Sequence, residues 1–175
     1  MPRLEEGKLA FDFDDASWQV MRWDAPNPGY VNGIRNLPKS KAVDLIGIHD
    51  QKLFLIEVKD YRYYNRQKED PPPLEFAWKV RDTIAGLVGM YRHGDYEPLG
   101  PFVALLANPN QRVIPILWLE DQDLKRDDAL TLKGQVEKQL KWLHGCRPQV
   151  LHRELSYERL VPDLRVDSLI GGGQR

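Results

Sequence analysis

The sequence contains very little cysteine. Cys146 is the one cysteine among 175 residues, so a disulfide within the chain is excluded. The four histidines are scattered and show none of the spacings that hold structural zinc. The fold must therefore be stabilised by an apolar core, and the chain is long enough to bury one in a single domain.

Long hydrophobic runs are also absent. The longest ones, 102–107 and 113–119, are too short to cross a bilayer and have the length of buried strands. The first residues, 1–6, lack the apolar segment of a signal peptide. We therefore expect a cytoplasmic protein without a membrane partner.

The chain has no excess of basic residues. Its 25 lysines and arginines are balanced by 26 aspartates and glutamates, which gives a formal net charge of -1. Most nucleic-acid-binding domains are basic, so the overall charge does not favour this class. An enzyme can nevertheless concentrate positive charge in one groove and balance it with acids elsewhere, including acids that bind metal.

Hydrophobic periodicity predicts a mixed α/β domain. Two strand-like runs, Lys41–Ile48 and Lys52–Asp60, flank a short polar turn and predict a β-hairpin. A helix is predicted over Glu75–Arg92, because apolar residues recur there at helical spacing and the end signals agree. The second half of the chain predicts strands over Phe102–Ala107 and Val113–Leu119 and an amphipathic helix over Thr131–His144.

The N-terminal quarter allows two interpretations. Residues 8–13 alternate in polarity and predict a short strand. Residues 14–23 fit a helix capped by Asp14 or Asp15. They also fit a further strand, since Trp18, Val20 and Arg22 alternate with other residues. Both interpretations stay open on the sequence.

The chain is expected to form one domain over residues 1–170, followed by a flexible tail over 171–175. Residues 24–38 are rich in proline, asparagine and glycine, which is typical of turns. Three tryptophans lie in apolar patterns and are expected in the core: Trp78, Trp118 and Trp142.

The strand Lys52–Asp60 carries the residues with chemical potential. Side chains alternate along a strand, so Glu57 and Lys59 share one face, while the opposite face is entirely apolar and must be buried. Charged residues in such a strand cost stability unless they have partners.

The hairpin register supplies a partner carboxylate. A four-residue loop over 49–52 places Asp44 opposite Glu57 on the same face, with Cβ atoms about 4.5–5.5 Å apart. Two opposed carboxylates repel each other, and a divalent cation removes this repulsion because hard cations bind carboxylate oxygens. Lys59 lies two residues further along, and the backbone carbonyl of Val58 is another candidate metal ligand.

This set of residues suits phosphodiester hydrolysis. A metal held by Asp44 and Glu57 would lower the pKa of a bound water and neutralise developing charge. Lys59 would orient the water, deprotonate it or stabilise the negative charge, and the sequence leaves these roles open. A simpler interpretation is an edge hairpin whose charged residues form a solvated, salt-bridged face.

The arrangement resembles the PD-(D/E)XK nuclease superfamily, which includes restriction endonucleases and Holliday junction resolvases. The resemblance rests on Asp44, twelve intervening residues and then Glu57–Lys59 on the second strand of an apolar hairpin. The run 56–62 is similar to small bacterial members of the superfamily. The resemblance covers about residues 40–107, and it departs from the family pattern in having Val43 where many members have proline.

The resemblance implies a restriction-endonuclease-like core, with a mixed β-sheet flanked by helices. The elements of this core are expected in the order helix, three antiparallel-to-mixed strands, helix and a further strand. It also implies hydrolysis of nucleic acid, with DNA as the expected substrate, by a Mg²⁺-dependent enzyme in which Mn²⁺ can substitute. Asp44, Glu57 and Lys59 would be the catalytic residues. The metal would be held by Asp44, Glu57 and the carbonyl of Val58.

The resemblance further implies an upstream acidic ligand, often a glutamate of the first helix, and basic residues that contact phosphate. The candidate acids are Glu5, Glu6, Asp15 and Asp24. The candidate substrate-binding residues are Lys41, Arg62 and Lys79.

Two further hypotheses accompany the nuclease. The chain could be a catalytically inactive module of the same fold that binds nucleic acid or protein. It could also be a subunit that works only within a larger defence or repair complex, which would explain its neutral charge. For an independent nuclease we expect a homodimer, because cutting both strands usually needs two sites.

Overall fold

The computed structural model of the protein describes residues 2–25, 40–62, 72–94, 97–121 and 124–169. The strands in these ranges are β1 (Arg3–Glu6), β2 (Leu9–Phe13), β3 (Trp18–Arg22), β4 (Leu45–His49), β5 (Lys52–Asp60), β6 (Val113–Glu120), β7 (Gln149–Leu151) and β8 (Leu164–Ser168). The α-helices are α1 (Pro72–His93), α2 (Gly100–Ala107) and α3 (Arg126–Gln139), and a 3₁₀ turn, Glu97–Leu99, precedes α2.

The described strands form two sheets. The larger sheet has five strands in the order β3-β4-β5-β6-β7, and the smaller has three in the order β1-β2-β8. In the larger sheet β3, β4 and β5 are antiparallel neighbours, whereas β5, β6 and β7 run parallel. The predicted α/β class with a mixed sheet is therefore confirmed.

Both faces of the five-stranded sheet are buried, because helices cover one face and the three-stranded sheet covers the other. Alternate residues of β5 reach opposite sides. Leu55 packs in one apolar cluster with Phe76 and Val80 of α1. Ile56 packs in a second cluster with Phe11 of β2. The odd-numbered positions of β5 therefore face the helices.

The central hairpin has the register that the sequence predicts. Leu45 of β4 lies opposite Ile56 of β5, which fixes the alignment on both sides of that pair. Asp50 and Gln51 form the turn with φ angles of 47° and 54°, the left-handed conformation that two-residue hairpin turns of type I′ require. The first strand is shorter than predicted, since it begins at Leu45 rather than at Lys41.

The helix hypothesis for residues 14–23 is wrong, because Trp18–Arg22 is strand β3 and pairs with β4. Asp14 closes a turn instead of capping a helix, and its backbone oxygen accepts a hydrogen bond from the Trp18 N–H. The Trp18 ring lies against Gly47, where a Cβ would come within 3.0 Å of the ring. Packing of this tryptophan in the second cluster therefore favours the strand.

The strand predicted over Phe102–Ala107 is also wrong, because these residues belong to helix α2. Pro101 lies in the first turn of α2, where a proline is tolerated because no intrahelical N–H bond is needed. The alanines and leucines that follow have high helix propensity. An apolar run of this length does not distinguish a strand from a buried helix.

The other helices are confirmed with shifted ends. Helix α1 begins at Pro72, because prolines fit a first helical turn. Helix α3 begins at Arg126 rather than at Thr131 and ends at Gln139. Trp142 consequently lies beyond α3 and is 53% exposed, so its predicted place in the core is wrong, whereas Trp118 is fully buried.

No helix within the described ranges is both long enough and apolar enough to cross a membrane. The predictions for the turn-rich segment and for the tail fall largely outside the described residues, namely on 26–39 and 170–175. Most of the aromatic and basic segment after β5, 63–71, also lies outside them.

The hairpin turn yields a prediction on stability. Replacing Gln51 by glycine should raise the free energy of unfolding by about 0.5–1 kcal/mol, because glycine adopts the left-handed conformation without the strain of a Cβ. Gln51→Val should lower it, since a β-branched residue fits this conformation worst. Urea denaturation of the two variants and the wild type measures both effects, and equal midpoints would contradict the assigned turn.

Candidate functional site

Asp44 and Glu57 meet at the carboxyl end of β5, on the side of the sheet that faces the helices. The backbone N–H of Asp44 donates to the carbonyl oxygen of Ile56 at 3.1 Å. The Asp44 Oδ2 accepts a hydrogen bond from the Val58 N–H at 2.6 Å. These bonds hold Asp44 on β5 beside Glu57. Asp44 is only 6% exposed and Glu57 only 1%.

Helix α1 supplies a cation to this pair. The Lys79 Nζ lies 2.7 and 2.8 Å from the two carboxylate oxygens of Glu57 and 3.9 Å from Asp44 Oδ1. The Lys59 Nζ lies 3.2 Å from the same Glu57 Oε1. Two ammonium groups therefore neutralise a carboxylate that is almost completely buried, as a buried charge requires.

A second acid of α1 extends the network outward. Glu75 Oε1 lies 3.4 Å from the Lys59 Nζ and 3.5 Å from the Lys41 Nζ. Glu75 and Lys79 are four residues apart and therefore share one face of α1. The Lys41 Nζ also lies 5.8 Å from the centre of the Trp78 ring, a distance at which a cation–π contact forms.

The segment before Asp44 is attached to α1 by two buried polar side chains. Asp82 Oδ2 accepts a hydrogen bond from the Lys41 N–H at 3.0 Å. Thr83 Oγ1 accepts one from the Val43 N–H at 3.1 Å. Asp44 is thus held on two sides. Helix α1 binds the backbone of the residues before it, and β5 binds Asp44 itself.

Two acids from the N-terminal strands approach Asp44 from another direction. Glu6 ends β1 and Asp24 follows β3, and one carboxylate oxygen from each of these residues and from Asp44 lies within 4.8 Å of the others. Arg22 forms an ion pair with Glu6 and lies 4.0 Å from Asp24 Oδ1. The Asp44 carboxylate is therefore common to the Glu57 pair and to this acidic cluster of Glu6, Asp24 and Asp44.

Burial dominates the protonation of the two central acids. It raises the pKa of Asp44 to about 8, with a further contribution from the negative charge of Glu57 and an opposing one from Lys79. Burial also raises the pKa of Glu57, although Lys79 and Lys59 oppose this shift. Without a further cation, ionisation of Asp44 beside the charged Glu57 costs free energy.

The outer pair of charges is stabilised instead. Burial disfavours the charged form of Lys59, but the negative charges of Glu57 and Glu75 outweigh it and raise the pKa of Lys59 above its usual value. Burial likewise disfavours the charged form of Glu75, but Lys59 and Lys41 lower the pKa of Glu75 below its usual value. Lys59 is therefore an ammonium at neutral pH in this arrangement.

The predicted catalytic residues Asp44, Glu57 and Lys59 lie together, and the predicted substrate-binding residues Lys41 and Lys79 lie in the same network. Arg62 does not join it: its guanidinium is 8% exposed and lies 2.7 Å from the Asp60 carboxylate. A role for Arg62 in substrate binding stays a prediction, and these contacts do not favour it.

The candidate upstream acids separate into two groups. Glu6 and Asp24 belong to the acidic cluster with Asp44. Glu5 lies 3.4 Å from Arg3 with an exposed side chain, and Asp15 is exposed in the turn before β3. Glu6 and Asp24 are thus the candidates that the fold brings to Asp44.

Sequence reasoning missed Glu75, Asp82 and Thr83. All three lie on α1, where the sequence marks Glu75 only as the start of the predicted helix. The sequence offered one signal for two of them: Asp82 and Thr83 are polar residues within an apolar helical pattern, and both are buried. A buried polar group needs a hydrogen-bond partner, so such residues indicate a contact with another segment.

The residues present fit a divalent cation. The donors are carboxylate oxygens, which hard cations prefer. A positive charge already lies between two of these carboxylates, since the Lys79 ammonium contacts Glu57 and is near Asp44. A cation held by Asp44 and Glu57 would offset the burial and the repulsion from Glu57 that together raise the pKa of Asp44.

The raised pKa of Asp44 predicts how stability depends on pH in the presence of a chelator. The folded protein keeps a proton on Asp44 between the ordinary pKa of 3.8 and about 8, whereas the unfolded chain releases it. The free energy of unfolding should therefore fall as pH rises through this window, by up to roughly 1.4 kcal/mol per pH unit. Urea denaturation at about pH 5 and about pH 8 measures the change.

Asp44→Asn should reduce this fall and be more stable than the wild type at the higher pH, because asparagine cannot ionise. Glu137→Gln, which removes a half-exposed carboxylate on α3, serves as the control and should keep the wild-type dependence. An unchanged pH dependence in Asp44→Asn would contradict the assignment.

Comparison of the chain with protein-family models, with curated proteins and with solved structures gives no match in any of the three. The case for a function therefore depends on the geometry and charge of the site itself.

Proposed function

We propose that this protein is a metal-dependent nuclease of the PD-(D/E)XK type, which hydrolyses phosphodiester bonds of nucleic acid, with DNA the expected substrate. The observation that carries the proposal is the meeting of two buried carboxylates, Asp44 and Glu57, with the Lys59 ammonium 3.2 Å from Glu57. This is the residue set of the superfamily motif, gathered on one face of a central hairpin.

The surrounding architecture supports the same proposal. The hairpin β4–β5 is followed by helix α1, which packs on the side of the sheet that carries the site. After the short helix α2, strand β6 runs parallel to β5. Strands β3 to β5, helix α1 and strand β6 follow the order of the core that the resemblance implies, whereas the described residues before β3 form strands β1 and β2 rather than the first helix of that core. The acids Glu6 and Asp24 differ from the family pattern, because they come from strand β1 and from the segment after β3 rather than from a helix.

The metal would be held by Asp44, Glu57 and the backbone carbonyl of Val58, with Glu6 or Asp24 as an additional acid. Bound Mg²⁺ supplies an acidified water and a positive charge that offsets the charge developing on the phosphate. The protein holds Asp44 ready for this role through the Val58 N–H, which fixes one of its two oxygens.

Lys59 would stabilise charge or orient the water rather than remove a proton. A lysine acts as a base only when its pKa is depressed. Here Glu57 and Glu75 raise the pKa of Lys59, so the side chain keeps its proton. The Lys59 side chain is 25% exposed, so it is open to contact with a phosphate oxygen.

Positive charge for the nucleic-acid backbone would come from Lys41 and Lys79 beside the acids. Lys41 is about one-third exposed and lies at the rim of the network, between Glu75 and the Trp78 ring. These lysines lie among the acids of the same network, and the formal net charge of the whole chain is -1.

The alternative function is a catalytically inactive module of the same fold. One observation favours it: the Lys79 ammonium contacts both Glu57 oxygens, so that Glu57 already has a counter-charge without a metal. In such a module the charged network would stabilise the fold, and no divalent cation would bind to it.

Cleavage assays with Mn²⁺ test the nuclease. The substrates are supercoiled plasmid, linear duplex, single-stranded DNA, a four-way junction and RNA. Lys59→Ala should reduce cleavage by about 10²-fold or more, because it removes a charge that stabilises the transition state. Asp44→Asn should abolish cleavage, because it removes a metal ligand.

The matched control is Lys52→Ala, which removes a lysine from the opposite end of the same strand, where it pairs with Asp50. It should cleave like the wild type. Loss of activity in Lys52→Ala equal to that in Lys59→Ala would indicate damage to the hairpin. If the wild type cleaves no substrate and binds no Mn²⁺ in calorimetry, the nuclease proposal fails in favour of the inactive module.

A second test concerns the additional acid. Glu6→Gln should weaken Mn²⁺ binding about 10-fold, the loss typical of removing one metal-supporting group. The control is Glu5→Gln, because Glu5 is the adjacent residue of β1, has an exposed side chain and contacts Arg3. Isothermal calorimetry measures both affinities, and equal values for the two variants would exclude Glu6 as a ligand.

A further inference from the structure

We propose that Lys79 is a displaceable counter-cation of the candidate metal site. Its ammonium holds Glu57 and Asp44 together in the metal-free protein, and a divalent cation must replace it to bind there. The inference rests on the proposed function and adds a step to it: the exchange of a tethered monovalent cation for a divalent one.

The contacts of Glu57 make the exchange necessary. The Lys79 Nζ donates to both oxygens of this carboxylate, at 2.7 and 2.8 Å, and the Lys59 Nζ lies 3.2 Å from one of them. A residue that is 1% exposed cannot turn its carboxylate to solvent to offer other lone pairs. A metal bound at Glu57 therefore competes with Lys79 for the same oxygens.

Asp44 makes the competition direct. Its Oδ2 is occupied by the Val58 N–H, and its Oδ1 lies 3.9 Å from the Lys79 Nζ. The ammonium thus lies next to the atoms that a cation bridging Asp44 and Glu57 would contact. Electrostatic repulsion alone would move Lys79 once a divalent charge is present.

The side chain of Lys79 can move away from Glu57. It is flexible and 16% exposed, and Glu75 lies one turn earlier on the same face of α1. A displaced ammonium would also be free to contact a phosphate oxygen of a bound nucleic acid. Metal binding would then convert Lys79 from a ligand of Glu57 into a residue that positions substrate.

Metal affinity in lysine variants tests the exchange. Lys79→Met keeps most of the apolar stem, and Lys79→Gln in addition keeps a hydrogen-bond donor for Glu57 in case the methionine variant does not fold. Both should bind Mn²⁺ at least about tenfold more tightly than the wild type, because the competing charge-assisted hydrogen bonds are gone. Isothermal calorimetry at one fixed pH measures the affinities.

The control separates direct competition from a general loss of positive charge. Lys41→Met removes one charge from the same network but none of the Glu57 contacts, since Lys41 pairs with Glu75. Its affinity should rise by less than about threefold, as expected from a screened surface charge. Equal gains in the Lys79 and Lys41 variants, or a loss of affinity in the Lys79 variants, would overturn the exchange while leaving the nuclease proposal intact.

A spectroscopic measurement on the wild type completes the test. The ¹⁵N resonance of the Lys79 ammonium should shift on addition of Mg²⁺, and that of Lys41 should shift less. An unperturbed Lys79 resonance at saturating Mg²⁺ would overturn the exchange. Absence of Mn²⁺ and Mg²⁺ binding in the wild type and in every variant would instead overturn both this inference and the proposed function.

Discussion

The burial of two carboxyl groups, Asp44 and Glu57, beside the Lys79 ammonium is the interaction on which the rest of this site depends. Asp44 and Glu57 are almost inaccessible to water, and an unpaired charge at such a position costs several kcal/mol. Lys79 offsets this cost from the helix, and the backbone of β5 contributes an N–H to Asp44. These polar contacts, together with apolar packing, consequently fix the position of helix α1 relative to the hairpin and to the segment before it.

Local patterns were sufficient to predict the centre of the fold. The alternation in β5 indicated two different faces, and the polar turn between the apolar runs predicted the register that brings Asp44 beside Glu57. The long helix α1 and strand β6 followed from periodicity in the same way. In each of these cases the local propensity and the tertiary packing favour the same structure.

The remainder depended on contacts between residues distant in sequence. The apolar run over 102–107 fits a buried helix or a buried strand by its composition. Its packing against α1 and β5 therefore decided its structure. Strand β3 formed because Trp18 packs against Gly47 of its neighbour. The choice of Glu6 and Asp24 among the upstream acids required the pairing of the N-terminal strands, which no pattern within one segment encodes.

The origin of the site residues has a consequence for folding kinetics. Glu6, Asp24, Asp44, Glu57 and Lys79 come from separate elements spread over nearly half of the chain. Asp44, Glu57 and Lys79 lie on the hairpin segment and the next helix. Glu6 and Asp24, however, reach Asp44 only after the N-terminal strands have packed beside them, and such non-local contacts carry a larger cost of loop closure. A cation that binds all of these carboxylates together therefore binds only the assembled fold. It would slow unfolding and leave the rate of folding almost unchanged.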